Sequence, residues 1–139
     1  MPSLVGSEMC IRDRCVKVEK VHYQELEQTT QEESSESIRE RVVMAHKRQR
    51  ERYEKEGFFY NSQIPAKKIA TFCALKKDEK RHMQQIYETL NLSVRSYHKI
   101  LKTARTIADI EGSEEIRMEH LHEAICYRSI DSNFWERRR

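Results

Sequence analysis

The stretch SVRSYHKILKTARTIADIEG, residues 93–112, decides the fold of this 139-residue chain. Serine is preferred at the start of a helix and glycine just past its end, so Ser93 and Gly112 mark the two ends. Between them, residues for a buried face recur at helical spacing: Tyr97, Ile100, Leu101, Ala104, Ile107 and Ala108. The stretch therefore predicts an amphipathic helix from Val94 to about Glu111.

A second helix is predicted upstream, from Ser37 toward Gly57. Ser34, Ser35 and Ser37 are candidate caps, and Ser37 with Glu40 has the spacing of a capping box. The stripe available for packing is narrow and consists of Ile38, Val42, Ala45, Gln49 and Tyr53. This helix is therefore expected to pack along one edge only.

Three shorter helices complete the pattern. Pro65 suits a first helical position and opens a short helix. Apolar residues at helical spacing predict a helix from about Asp78 to Leu90 and a last one from about Arg117 to Arg128. We therefore predict a mainly α protein, a small helical bundle preceded by a short β-strand stub.

The N-terminal residues differ from this helical part. Met9 to Asp13 resembles a translated sequencing adapter, so residues 1–14 are interpreted as a non-native leader. Alternation of Val16, Val18 and Val21 with charged residues predicts a strand. The resulting division is a leader at 1–14, a strand stub at 15–23, an acidic flexible linker at 24–36, a helical domain at 37–131 and a frayed tail at 132–139.

Composition limits the function classes. Lys and Arg number 26 against 23 for Asp and Glu, a net charge of +3 that does not by itself indicate a nucleic-acid-binding protein. The sequence contains neither a long apolar run nor the apolar core of a signal peptide, so we expect a soluble, cytoplasmic protein without a membrane partner. The four cysteines lack metal-ligand spacing and are expected to be reduced thiols.

The helix at 37–56 carries a strongly basic surface. Its arginines are candidates for contacts with DNA phosphates or with a neighbouring subunit: Arg39, Arg41, Arg48, Arg50 and Arg52. The alternative is a solvated face whose charge is compensated by Glu40, Glu51, Glu54 and Glu56. No aromatic residues interleave the arginines, which argues against stacking of single-stranded bases on this helix.

Two other polar groups near the C-terminus do not indicate a site. His120 and His122 are two residues apart and point about 200° away from each other on a helix, so they are not expected to share a metal ion. Glu114, Glu115 and Glu119 suit the first turn of a helix, where acidic side chains are stabilised. We therefore predict no metal site and no catalytic pair within these residues.

Segments of this sequence resemble a known family. The segment from Leu92 to Asp131 closely resembles the C-terminal signature of the ComM/YifB family of magnesium-chelatase-like AAA+ ATPases. SIRERVVMAHKRQRERY, residues 37–53, and VKVEKVHYQEL, residues 16–26, also resemble that family. His46 and Met118 depart from its pattern, where arginine and proline are usual, and the first departure weakens a phosphate contact at position 46.

The resemblance implies a hexameric ring ATPase whose helical C-terminal domain is a lid over ATP bound at a subunit boundary. The intact protein would use ATP and Mg²⁺, act on DNA, and drive branch migration in recombination and natural transformation. The strand stub would leave the ATPase core. The Walker A and B motifs are absent from this chain, which is therefore expected to bind no nucleotide and to be inactive alone.

One residue of the lid is singled out by position and by resemblance. Arg95 lies at the positive end of the helix capped by Ser93, where a cation is disfavoured unless an anion is near. By resemblance, Arg95 takes the role of the second sensor, which contacts the γ-phosphate of ATP. The alternatives are that Arg95 is a solvated surface residue, and that the chain is a free-standing nucleic-acid-binding or interaction module that uses the basic helix at 37–56.

Overall fold

The computed structural model describes residues 33–136, with side chains through Tyr127. This part of the chain is mainly helical: α1 is Ser35–Arg52, α2 is Ile69–Phe72, α3 is Lys77–Thr89, α4 is Val94–Glu111 and α5 is Met118–Glu136. Two 3₁₀ turns, Asn61–Gln63 and Ala66–Lys68, connect α1 to α2. The predicted strand at 15–23, the leader at 1–14 and residues 24–32 of the predicted linker lie outside the described residues, and the last two linker residues, Ser35 and Glu36, belong to α1.

Helix α4 has the ends that the sequence predicts. The Ser93 hydroxyl accepts a hydrogen bond from the backbone N–H of Ser96 at 3.1 Å. At the other end Gly112 takes a left-handed conformation with φ 87°, and its N–H donates to the carbonyl of Ala108 at 2.9 Å. Ser113 donates to the same carbonyl, which closes the helix.

Helix α1 packs against α4 in the opposite direction, and only its C-terminal half is covered. Ala45, Gln49 and Tyr53 are buried, whereas Ile38 and Val42 of the predicted stripe are 46% and 40% exposed. The physical reason is length, because α4 ends opposite Arg48 and the first turns of α1 extend past that end. The predicted stripe is therefore correct for the second half of the helix and wrong for the first.

The remaining core is assembled from aromatic and aliphatic side chains of the short elements. The Tyr53, Phe58 and Phe72 rings contact one another, with centroids 4.8 to 6.0 Å apart. Helix α3 is held by the fully buried Met83 and by a perpendicular contact between the rings of Tyr87 and Tyr97. Apolar burial of this kind supplies the main driving force for folding. The other buried apolar residues are Ile64, Ile69, Cys73, Ile100, Leu101, Ala104, Ala108, Ile116, Leu121 and Ala124.

The last helix is longer than the sequence pattern indicates. Helix α5 continues to Glu136 rather than ending near Arg128, and no glycine or proline follows Gly112 in the sequence to stop it. Residues 33–124 form one compact unit, and the chain from Ile125 onward lies outside that unit. None of the helices within 33–136 is long and apolar enough to cross a bilayer.

Replacing Gly112 with alanine is expected to destabilise the fold by about 1 to 2 kcal/mol, because the left-handed conformation is unfavourable for a residue with a Cβ atom. The added Cβ would also lie 3.0 Å from Nη2 of Arg48. Urea unfolding followed by circular dichroism measures the change. Gly57→Ala is the matched control, because nothing lies within 4 Å of its Cβ position and the stability should change by less than about 0.5 kcal/mol. Equal losses in the two variants would contradict this account.

Candidate functional site

A buried carboxylate lies at the centre of the polar side chains of the domain. Asp109, on α4, is fully buried, and Arg52 of α1 binds both of its oxygens, with Nη2 to Oδ1 at 2.5 Å and Nη1 to Oδ2 at 2.9 Å. Arg105, one helical turn before Asp109, donates from Nε to Oδ1 at 3.2 Å. Paired, planar contacts of this kind are the strong hydrogen bonds of arginine.

The same cluster binds the loop before α5. Arg105 donates from its terminal nitrogens to the carbonyls of Glu114 at 2.7 Å and Ser113 at 2.6 Å, in the segment that leads to α5. Arg48 donates from Nη1 to the backbone carbonyl of Asp109 at 2.8 Å. Three guanidinium groups thus converge on Asp109, two on its carboxylate and one on its backbone carbonyl, and they join α1, α4 and the loop before α5.

Asn61 joins the loop after α1 to the same cluster. Its Nδ2 donates to Oδ2 of Asp109 at 2.8 Å and to the hydroxyl of Thr106 at 3.1 Å, and its Oδ1 accepts from the hydroxyl of Tyr53 at 2.5 Å. Its backbone N–H donates to Oε1 of the buried Gln49 at 3.0 Å. Because a buried polar group without a partner is costly, these bonds specify the path of the loop.

Burial and charge act in opposite directions on the two arginines that bind Asp109. Burial alone would lower the pKa of Arg52, but the hydrogen bonds and charge of Asp109 outweigh it and raise that pKa. Arg105 is more deeply buried, and loss of solvent lowers its pKa despite the attraction of Asp109. Arginine keeps its charge in proteins, so both groups are structural cations rather than proton donors or acceptors.

The structure divides the predicted basic surface of α1. Arg48 and Arg52 are directed to Asp109, and Arg41 pairs with Glu33 at 2.6 Å. Arg39 and Arg50 are exposed, and neither has an ion-pair or hydrogen-bond partner within 33–127. The predicted contact with DNA or a subunit stays a prediction, with Arg39 and Arg50 as the side chains available for it.

Arg95 lies where the sequence predicts it, at the second residue of α4. Its side chain is exposed and is not hydrogen-bonded or ion-paired to any other described residue. The neighbouring Val94 is 59% exposed, so this end of the helix faces open space. Backbone N–H groups of a first helical turn have no partner within the helix, and here only that of Ser96 is satisfied by the cap.

The histidines of α5 have separate roles. His120 is buried, with Nδ1 accepting from the backbone N–H of Arg117 at 3.0 Å and Nε2 on the carboxylate of Glu111. His122 points elsewhere, and its Nε2 lies 2.8 Å from Nε2 of His82 on α3. The two side chains therefore diverge as their spacing predicts. Within the described residues, no group of three or more His, Cys, Asp and Glu side chains is arranged to hold a metal ion.

A cavity of about 380 Å³ opens beside the Asp109 cluster. Arg52 and Arg105 reach it, but both are already bound to Asp109, and Lys76 at its rim pairs with Glu115. Burial raises the pKa of the nearby Cys73 thiol to about 11, so this thiol is protonated and unreactive at neutral pH. The two arginines and the lysine that line the cavity are thus already paired with carboxylates.

Comparison with known proteins identifies a family and three relatives. The family described as magnesium chelatase, subunit ChlI C-terminal, matches residues 32–128. A protein named YifB from Salmonella typhimurium, described as uncharacterized, is 40% identical over 99 residues, which cover 71% of this chain and 19% of that protein. YifB of Escherichia coli is 38% identical over 99 residues, again 71% and 19% of the two chains. Competence protein ComM of Haemophilus influenzae is 39% identical over 98 residues, 70% and 18%. The chain thus spans about a fifth of the length of these relatives.

Asp109→Asn is expected to destabilise the domain by about 3 kcal/mol, because removing one partner of a buried ion pair leaves the other charges uncompensated. The free energy of unfolding in urea measures this loss. Glu40→Gln removes an exposed carboxylate from α1 and should change it by less than about 0.5 kcal/mol. A loss below about 1 kcal/mol in Asp109→Asn would show that the guanidinium groups do not depend on this carboxylate.

Proposed function

Because the chain belongs to the family of magnesium chelatase subunit ChlI C-terminal domains, we propose that it is the lid of a ring-forming ATPase that acts on DNA. In this proposal the lid senses bound ATP and couples its hydrolysis to motion of a hexameric ring. The Haemophilus influenzae relative is named a competence protein, which supports a role in natural transformation and recombination, with branch migration as the motor activity. Such a protein would work in the cytoplasm, where the DNA is.

The observation that carries the proposal is the position of Arg95. A cation in the first turn of a helix is disfavoured by typically about 0.3 to 1 kcal/mol, because the helix end is itself positive. The guanidinium group of Arg95 is such a cation, and it is exposed and has no ion-pair partner among residues 33–127. A phosphate in front of α4 would remove the conflict, because it would accept from the guanidinium and from the free backbone N–H groups together.

The described residues fit one contact with a nucleotide rather than a complete ATP site. They offer Arg95 to a terminal phosphate, but no arrangement of side chains for Mg²⁺ within 33–127. The bound nucleotide would supply the phosphoryl group that is transferred to water. Arg95 would stabilise the negative charge that spreads over the oxygens of that group, as arginine does in other phosphoryl-transfer sites. The remaining contacts would come from the part of the relatives that this chain does not span.

The Asp109 cluster gives the lid a means to transmit what Arg95 senses. Arg95 and Asp109 lie near opposite ends of α4, about 21 Å apart along a helix of this geometry. Asp109 is joined to α1 through Arg52 and to the loop before α5 through Arg105. A change in the position of Arg95 would therefore move α4 and α1 together, which suits hinge rotation of a rigid body.

A second function is supported by a different observation. Arg39 and Arg50 are exposed and have no partner within 33–127, so the basic helix could bind nucleic acid without any nucleotide. A free-standing binding module of this kind would need neither ATP nor Arg95. The two functions are therefore separated by the response of each activity to substitution of Arg95.

In the full-length protein, Arg95→Ala is expected to reduce ATP hydrolysis at least tenfold, because one charge-stabilising contact to the transferring phosphoryl group is lost. Arg95→Lys keeps the charge but not the fork of donors and should recover only part of the rate. Steady-state phosphate release, with and without branched DNA, measures both. Arg81→Ala is the matched control, since it removes an exposed arginine from α3. Normal hydrolysis by Arg95→Ala would overturn the sensor assignment.

A further inference from the structure

One side of α1 presents a stripe of exposed residues that the core does not use. Arg39, Val43, His46 and Arg50 are spaced four, three and four residues apart, which places them on one face of the helix. All four are exposed, and this face lies away from Arg48 and Arg52, which bind Asp109. Arg39 and Arg50 are about 16 Å apart along the helix axis, the span of several successive phosphates of one strand.

The tertiary structure places an aromatic ring beside this stripe. The ring of Tyr60, in the loop after α1, lies 5.2 Å from the ring of His46, centroid to centroid. Phe59, the residue before Tyr60, leaves 58% of its surface exposed. The loop thus supplies an aromatic ring that the helix sequence lacks, and it has a second, exposed ring next to it in the chain.

The loop is fixed rather than loosely attached. The backbone N–H groups of Phe59 and Tyr60 both donate to Oε1 of Gln63, at 2.9 and 3.1 Å. The next residue, Asn61, is bound to Gln49 and to Asp109. The backbone at Phe59 and Tyr60 is therefore held in place next to α1, and a ligand would not have to order this segment on binding.

We propose that this face, formed by Arg39, Val43, His46, Arg50, Phe59 and Tyr60, binds single-stranded nucleic acid. Arg39 and Arg50 would pair with phosphates, and bases would stack on the aromatic rings, the combination that proteins use to bind single strands without sequence preference. An acidic protein segment would match the arginines but not the exposed rings, and a duplex keeps its bases stacked inside. The inference deepens the DNA part of the proposed function and does not depend on the ATPase part.

Acidic side chains limit the strength of this contact. Glu36 and Glu54 lie near the two ends of the stripe, and Glu40 and Glu51 lie on the adjoining side of α1 or its end. Carboxylates near a phosphate reduce its attraction, so binding should be weak and should decrease as salt increases. A tight, salt-independent complex is not expected from this surface.

The test is fluorescence anisotropy of a labelled oligothymidine of about 16 nucleotides, the upper range of single-strand site sizes, with the 139-residue chain over a series of salt concentrations. Arg39→Ala with Arg50→Ala should weaken binding at least tenfold and make the dependence of log K on log salt less steep by about 1.4, or 0.7 for each lost phosphate contact. Phe59→Ala should weaken binding about fivefold or more with an unchanged slope, because stacking is not ionic.

Matched controls keep the result interpretable. Lys67→Ala with Arg81→Ala removes two exposed cations that are not part of the proposed face and should bind like the unsubstituted chain. The binding test uses no nucleotide, so failure of the sensor assignment does not affect it. Thermal unfolding confirms that each variant is folded.

Three results would overturn the proposal. The first is that the control pair of substitutions weakens binding as much as the arginine pair does. The second is that duplex DNA binds as tightly as the single strand and that Phe59→Ala has no effect. The third is that polyglutamate, at an equal concentration of charge, competes fully with the oligothymidine. The last result would identify an acidic protein segment as the occupant.

Discussion

The carboxylate of Asp109 is the group on which the rest of the domain depends. A buried charge is tolerated only when it is paired and hydrogen-bonded, and here the partners come from three different segments. Arg52 comes from α1, Asn61 from the following loop, and Arg105 from α4 itself. The requirement to satisfy one carboxylate therefore determines how α1, the loop and α4 meet.

The same requirement separates two sets of arginines on one helix. Arg48 and Arg52 are spaced one turn apart and face α4, where they are structural. Arg39 and Arg50 face the opposite way and remain available for a partner. Charge reversal of the inward set would change stability, whereas charge reversal of the outward set would change binding. Arginines that look alike in the sequence of this helix thus have different environments, one set bound to Asp109 and the other exposed.

Helix α4 connects the proposed nucleotide contact to this cluster. Arg95 is exposed at its N-terminus, and its last two turns contain Arg105 and Asp109. The loop with Phe59 and Tyr60 is held by Asn61, which binds the same carboxylate. The proposed phosphate contact and the proposed strand-binding face are consequently attached to one rigid framework, so a rotation of the lid would move both. This arrangement is suited to a motor that couples nucleotide state to a nucleic acid.

The sequence alone determined the helices and the family. The serine cap and terminal glycine of α4 act through bonds within a few residues, so Ser93 and Gly112 predict its ends correctly. The same serine cap shows that Arg95 lies in the first turn of α4. The sequence did not indicate the buried cluster of Asp109, Arg105 and Asn61, because the burial of each residue depends on a partner that is distant in the sequence. The local signal for the cluster was weak: an arginine and an aspartate lie one turn apart within an otherwise apolar face of α4. The exposure of Ile38 and the position of the Tyr60 ring beside His46 were missed for the same reason. The periodicity of a sequence shows which side of a helix is apolar. It does not show where the neighbouring helix ends or which loop packs beside it. Those features are decided by the tertiary structure, because the contacts that produce them join residues far apart in the sequence.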